Sequence, residues 1–504
     1  MRQIFSGLSW LIITVFAMSS PCLAQLSYAQ PSSHPKIVIG LVVDQMRWDY
    51  LIRFRELYGA GGFRRLMSEG YSCDNTLIDY GPSVTACGHT AVYTGSVPAI
   101  TGIINNDWYD RYHHKKVYCT EDSTVEGVGV SNRSLAGRMS PSNLLVTTLG
   151  DEMNKADSFR SKIVGIALKD RAAILPAGHT ATAAFWFDDQ AGFITSSYYM
   201  QELPSWARKF NVGQAAFIHQ NPIRNSAAGN DLTLEFAKTA IAGYNLGSGA
   251  ATDLLALSFS SPDAVGHQYG PDSKEIRDIY RQLDRQFAAF LTWLDNRFGK
   301  GNYLLFLTAD HGVSSSPAYA LDHRMPAGAF DPAGMMATLN DSLASKFQVT
   351  GGIEYVAELQ LYLNRTAFEQ KGISLAAVED YICGLSASFP GIADILSGGA
   401  LSAATLPQEL KDRLINGFNR RRSGDMVILP QPGWKIGPLK GADHGLVYVD
   451  DTHIPLLFMG WKVPHGKTNR RIAMTDIAPT LSTMLEVQAP SGCIGRPIEE
   501  ITGK

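Results

Sequence analysis

Two apolar runs, Leu254 to Phe259 and Tyr303 to Leu307, flank a stretch whose hydrophobic residues recur at helical spacing. Ile276, Ile279, Tyr280, Leu283, Phe287, Phe290, Leu291 and Leu294 mark one face of that predicted helix. Strand, helix and strand in this order form a βαβ unit, whose crossover predicts two parallel strands joined with right-handed connectivity. An α/β fold around a largely parallel sheet is the architecture that accepts such a unit. Both strands end in reactive side chains. Ser261-Pro262-Asp263-Ala264-Val265-Gly266-His267 follows the first, and Thr308-Ala309-Asp310-His311-Gly312 follows the second. Asp263, His267, Asp310 and His311 are therefore expected at one sheet edge, where open α/β folds place their ligands. Imidazole nitrogen and carboxylate oxygen together suit zinc. Either motif alone reads equally well as a turn; the pair at sequential strand ends favours a metal.

Two further strands repeat the pattern. Lys36 to Val43 is a continuous apolar run of the kind found in buried parallel strands, and it ends in Asp44. Lys162 to Leu168 ends in Lys169-Asp170-Arg171. Asp44, Lys169, Asp263 and Asp310 are thus expected at corresponding positions. Polar residues where strands meet water account for one or two such endings more easily than for four. Gly81 to Thr90 reads as a loop entering a helix, with Thr85 near the first turn. Free amides and the positive dipole end there favour an alkoxide and a bound phosphate. Ordinary capping is the competing explanation. Metal coordination tips the balance, because it activates a hydroxyl near neutral pH.

Composition limits the alternatives. The 504 residues are 45% hydrophobic and 18% charged, enough apolar material for a large core, and the net charge of −3 argues against general attraction to nucleic acid. No nucleic-acid-binding module or short repeat stands out. Met1-Arg2, the apolar stretch Ile4 to Met18 and the small residues before Gln25 read as a secretory signal peptide over residues 1–24. About 15 apolar residues fall short of the roughly 20 that span a bilayer. Pro21 disfavours lipidation of Cys22. An exported chain, periplasmic or secreted and without a stable membrane span after cleavage, is expected. Cys73, Cys87, Cys119, Cys383 and Cys493 then remain, an odd set whose pairing the sequence leaves open. Their wide spacing assigns any metal to Asp and His. Cys87, among small and apolar residues, reads as an inert buried thiol.

Seven segments in order carry a family resemblance. They are Val42-Val43-Asp44-Gln45-Met46-Arg47, Pro82-Ser83-Val84-Thr85, Gly102 to Trp108, Lys169-Asp170-Arg171, Pro262 to Pro271, Thr308 to Gly312, and Asp443-His444-Gly445. Together they resemble the alkaline phosphatase superfamily, most closely its monomeric, phosphate-irrepressible bacterial phosphatases. The resemblance spans nearly the whole mature chain. It implies a three-layer α/β sandwich with a central, mostly parallel sheet. It also implies a single catalytic domain over residues 25–504, with cap or loop insertions near 172–245 and 315–440.

The same resemblance implies a two-zinc site. Asp263, His267 and His444 would hold one ion; Asp44, Asp310 and His311 would hold the other, with Thr85 beside it as the nucleophile. Asp443 and His453 are read as supporting residues. The implied reaction is hydrolysis of phosphate monoesters through a phosphothreonine; because ligating histidines must be neutral, acid weakens metal binding and an alkaline optimum is expected. Asn106, Lys169 and Arg171 would face the non-bridging oxygens, Lys169 and Arg171 projecting to one side if strand geometry continues. A monoester carries charge near −2 and a diester about −1, so two cations favour the monoester. Nucleotide pyrophosphatase/phosphodiesterases, the alternative, share the Thr and Asn but not the Lys-Arg pair. A sulfatase needs a C/S-x-P-x-R context that the Thr85 segment lacks. A non-catalytic zinc-binding protein has no use for Asn106, Lys169 or Arg171. No motif supports an additional calcium ion, a monomer is expected, and Arg420-Arg421-Arg422 reads as a solvated face.

Overall fold

Apolar on both faces and buried along its whole length, the strand Ile37–Val43 takes the middle of the molecule's main sheet. The computed structural model describes residues 33–131 and 134–503; the expected signal peptide, Cys22 included, lies outside them. In chain order the strands of this sheet are Ile37–Val43 (β1), Tyr71–Cys73 (β2), Gly127–Val128 (β3), Ile163–Ile166 (β4), Ala183–Asp188 (β5), Gly192–Ser196 (β6), Asp253–Phe259 (β7), Tyr303–Thr308 (β8), Leu456–Gly460 (β9) and Gly466–Thr468 (β10). They lie side by side as β10-β2-β9-β8-β1-β7-β4-β5-β6-β3. The central five, β8 to β5, are all parallel. Antiparallel pairs β9 with β8 and β6 with β5 flank them. The parallel orientation of β7 and β8 agrees with the βαβ reading. They are not neighbours, however, because β1 pairs with both and separates them.

Four helices position the site: Thr85–Thr94 (α1), Asp170–Ala177 (α2), Ser261–Tyr269 (α3) and Lys274–Phe298 (α4). All eight apolar residues of the predicted stripe in α4 are buried. A stripe of that width, each large side chain contributing about 1.5–3 kcal/mol on burial, holds the helix more firmly than propensity does. Asp284 interrupts the stripe yet is buried too. Its carboxylate accepts hydrogen bonds from the Gly59 and Phe63 amides at 2.7 and 2.8 Å, fastening the start of the helix Phe63–Glu69.

Residues 172–245 supply β5, β6 and the helices Ser205–Gln220 and Ala227–Gly243. Much of this segment is thus sheet and core, with Phe193 stacked on Phe236 at 4.0 Å between centroids. Residues 315–440 differ. They contain a four-stranded antiparallel sheet, Ile353–Ala357, Gln360–Leu363, Met426–Pro430 and Ile392–Ser397 in spatial order, with its own apolar cluster around Leu339, Phe368 and Ile395. Asp425 ties this unit to the rest by accepting a hydrogen bond from Arg111 at 3.0 Å. Among the described residues, no helix is long and apolar enough to cross a membrane.

Candidate dinuclear metal site and nucleophile

Sheet register brings the first candidate ligands together. Val43 pairs with Phe259, Val42 with Thr308, and Leu257 with Ile166. Asp44, Lys169 and Asp310 therefore emerge in step from the same edge. Asp263 does not share that position. It stands in the first turn of α3, with His267 one turn later on the same face, and its Oδ1 lies 3.1 Å from His267 Nε2. His444 belongs to a loop, as expected. Because β9 runs antiparallel to β8, the chain approaching β9 arrives at the edge where β8 ends.

Two clusters result, Asp263 with His267 and His444, and Asp44 with Asp310 and His311. The donor atoms of each lie within 4.8 Å of one another. Hydrogen bonding fixes the tautomer of every histidine in them. Nδ1 of His267 donates to the Ala442 carbonyl at 3.0 Å, that of His311 to Gly312 at 3.0 Å, and that of His444 to Ser83 at 2.9 Å. A carbonyl only accepts, so each Nδ1 carries a proton and Nε2 is the nitrogen that turns toward the cluster, where a metal would take its lone pair. Asp44 Oδ1, Asp310 Oδ2 and His311 Nε2 are buried and have no hydrogen-bond partner among the described residues. Unpaired buried polar atoms of this kind are costly unless a cation compensates them. Three imidazole or carboxylate donors per cluster match the chemistry of a divalent ion.

Charge within the site is unevenly shared. Burial drives the Asp44 carboxyl well above its ordinary range, and neighbouring Asp263 and Asp310 push the same way. Burial also opposes ionisation of Asp263, but Lys169, His267 and His444 outweigh it and hold that group well below the usual range. Asp310 is likewise held low, burial being overcome by His311 and His89. The Lys169 ammonium donates to Asp44 Oδ2 and Asp263 Oδ2, both at 2.6 Å, and to Thr85 Oγ1 at 3.4 Å. Burial keeps His311 below the ordinary imidazole value and His444 well below it.

Thr85 is the first residue of α1 and is buried. The preceding residue, Val84, offers no side-chain cap; Asn106 supplies one from a distance, its Oδ1 accepting from the Ala86 amide at 3.1 Å. That contact leaves the Asn106 Nδ2 donors for other partners. His89, one turn into α1, donates from Nδ1 to the Thr85 carbonyl at 2.9 Å and joins Ser258 of β7 through Nε2 at 2.8 Å. It also lies 3.3 Å from Asp310 Oδ2. Gly88 brings the helix backbone against the Asp310 carbonyl, where a Cβ would collide. Spacing of four residues from Thr85 was the available signal for His89.

Lys169 and Arg171 are not arranged as an extended strand would place them. β4 stops at Ile166, Lys169 immediately precedes α2 without capping it through its side chain, and Arg171 lies in that helix's first turn. Arg171 Nη1 donates to the Tyr118 hydroxyl at 2.9 Å, and that hydroxyl donates to Asp170 at 2.6 Å. No local sequence pattern pointed to Tyr118. Arg422 departs from the solvated-face reading. Its Nη1 donates to the Gly102 and Asn143 carbonyls, and its guanidinium sits 4.9 Å from the Trp108 ring centroid. All five described cysteines are unpaired, and burial pushes the Cys87 thiol well above its ordinary value, consistent with an inert group.

The family described as type I phosphodiesterase / nucleotide pyrophosphatase matches residues 38–450. The chain is 42% identical to alkaline phosphatase PafA of Elizabethkingia meningoseptica over 98% of its length and 99% of the relative's. It is 41% identical to alkaline phosphatase PhoV of Synechococcus elongatus over 94% of each chain. A crystal structure of wild-type PafA superposes with a TM-score of 0.90, covering 93% of this chain and 99% of that one at 42% identity. An α/β sheet edge bearing two carboxylate–imidazole clusters, in a chain related this closely along its length, belongs to the alkaline phosphatase superfamily and to its type I phosphodiesterase / nucleotide pyrophosphatase family.

Proposed function

We propose that the protein is a zinc-dependent alkaline phosphatase that converts phosphate monoesters to an alcohol and inorganic phosphate through a phosphothreonine at Thr85. The observation carrying this reading is the buried Thr85 hydroxyl at the start of α1, within 3.4 Å of a lysine that also reaches a carboxylate from each cluster. Asp263, His267 and His444 hold one zinc ion, and Asp44, Asp310 and His311, with Thr85, hold the other. When bound, the ions supply positive charge to the phosphate and lower the pKa of the hydroxyl.

The Thr85 hydroxyl releases its proton to solvent, its oxygen attacks phosphorus, and the bond from phosphorus to the ester oxygen breaks. The departing alkoxide takes up a proton as the alcohol. Water then attacks the phosphothreonine, breaking the phosphorus–Thr85 bond, releasing phosphate and returning a proton to the Thr85 oxygen. Helix α1 orients the nucleophile through the Asn106 cap and the His89 hydrogen bond. Asn106, Lys169 and Arg171 bind the non-bridging oxygens, and two cations favour a dianionic monoester. Residues 315–440 border the leaving-group side: Phe330, Glu358 and Lys435 line one cavity with Asp443 and His444. The chain works as a monomer, exported by way of residues 1–24.

Diester hydrolysis is the second reading, favoured by the family's description. Kinetics on p-nitrophenyl phosphate and bis-p-nitrophenyl phosphate decide between them, with metal analysis of the same sample identifying the ion. Thr85→Ala is expected to abolish phosphoenzyme formation and turnover while retaining two zinc ions. Normal turnover by that variant would remove Thr85 as the nucleophile.

A further inference from the structure

Gln45 joins the two clusters. Its backbone N–H donates to Asp310 Oδ1 at 3.1 Å, and its side-chain Nε2 donates to Asp263 Oδ1 at 2.7 Å. Asp263 and Asp310 belong to different clusters, so one residue holds a carboxylate of each. Carboxylates only accept, which places the amide nitrogen of Gln45 toward Asp263. The residue is 2% exposed and adopts φ 65°, a left-handed conformation uncommon outside glycine. This turn lets the backbone face Asp310 while the side chain reaches Asp263. Gly266 in α3 makes room for it, since a Cβ there would overlap Gln45 Oε1.

The oxygen that Gln45 engages is also the one facing the imidazoles. Asp263 Oδ1 lies 3.1 Å from His267 Nε2 and 3.7 Å from His444 Nε2, whereas Oδ2 is engaged by Lys169. Two donors on opposite oxygens therefore set the rotation of the carboxylate. We propose that Gln45 is a positioning residue that orients Asp263 relative to Asp310 and so sets the zinc affinity of the Asp263–His267–His444 cluster. The inference rests on the two-zinc reading above. Loss of such a supporting partner lowers metal affinity by about 10- to 100-fold.

Two variants separate backbone from side chain. Gln45→Gly preserves the left-handed turn and deletes the amide; Gln45→Glu preserves the volume and replaces the donor with an anion. Wild type and both variants, stripped with chelator and checked by circular dichroism, are titrated calorimetrically with zinc. Wild type is expected to bind two ions. Each variant should bind one ion with wild-type affinity and the other about 10- to 100-fold more weakly, and excess zinc should return kcat of Gln45→Gly toward wild type. Unchanged affinity at both sites in Gln45→Gly overturns the proposal. Equal weakening at both sites, or loss of the fold in both variants, makes Gln45 a scaffold residue and overturns it as well. Failure of wild type to bind two zinc ions overturns the reading beneath it and the inference together.

Discussion

Asp44, Asp263 and Asp310 are buried carboxylates that share Lys169 among their neighbours, and each feels the others through a medium that screens poorly. Such a cluster spends little energy rearranging when a dianion arrives, provided the cations around it are already in place. Lys169→Ala with Arg171→Ala is expected to lower p-nitrophenyl phosphate hydrolysis by about a hundredfold or more and to affect the diester far less. Equal losses on both substrates would show that the pair does not discriminate between them. Protonation should also be ordered. Burial opposes charge on His267, but Asp263 outweighs it and raises the group, whereas His311 and His444 are lowered by burial. A ligating imidazole must be neutral, so acid competes first at His267. Zinc stoichiometry, measured by dialysis at fixed free zinc from about pH 8 to 5, should fall from two to one before it falls to zero; simultaneous loss would contradict this order.

Elements connect the two Asp-His-Gly loops through Asp451. Its Oδ1 accepts from the Ser314 hydroxyl at 2.7 Å, its Oδ2 from the Leu446 amide at 2.8 Å, and its carbonyl from the Gly312 amide at 2.8 Å. Burial pushes this carboxyl up to about 7 despite the donors. A raised carboxyl contributes stability fully below its unfolded value, and that contribution is lost as pH rises toward its folded value. The wild type alone carries this penalty, so Asp451→Asn should gain stability relative to it between about pH 4 and 7, by at most about 4 kcal/mol. Melting temperatures of the two proteins across that range check the sign. Legibility differed among the elements for physical reasons. The stripe of α4 has a period that any helix must obey, and β1 is apolar enough to identify a central strand. Helix α3 begins at Ser261-Pro262 within two residues of β7, so the sequence places Asp263 at the strand end rather than in a helix. The early end of β4 was hidden because Ala167 and Leu168 are apolar and buried without being in the strand.

Across the whole molecule, the candidate ligands Asp44, Asp263, His267, Asp310 and His311 were legible because they follow apolar strands, His444 was legible only through the family resemblance, and their supporting partners were not legible. Arg171 with Tyr118, and Gln45 with Gly266, meet only through tertiary packing. Chelation should abolish turnover and lower the melting temperature, and zinc should restore both. At a thousandfold excess over Kd, each ion adds about 4 kcal/mol. Full activity in metal-free protein would eliminate the two-zinc mechanism. The antiparallel approach of β9 to β8 also has a consequence in time. A ribosome making this chain releases Asp44, Asp263, His267, Asp310 and His311 in that order, and His444 last of the six candidate ligands. The nascent polypeptide cannot assemble both clusters until it is nearly finished, so hydrolytic competence is withheld throughout most of its own synthesis.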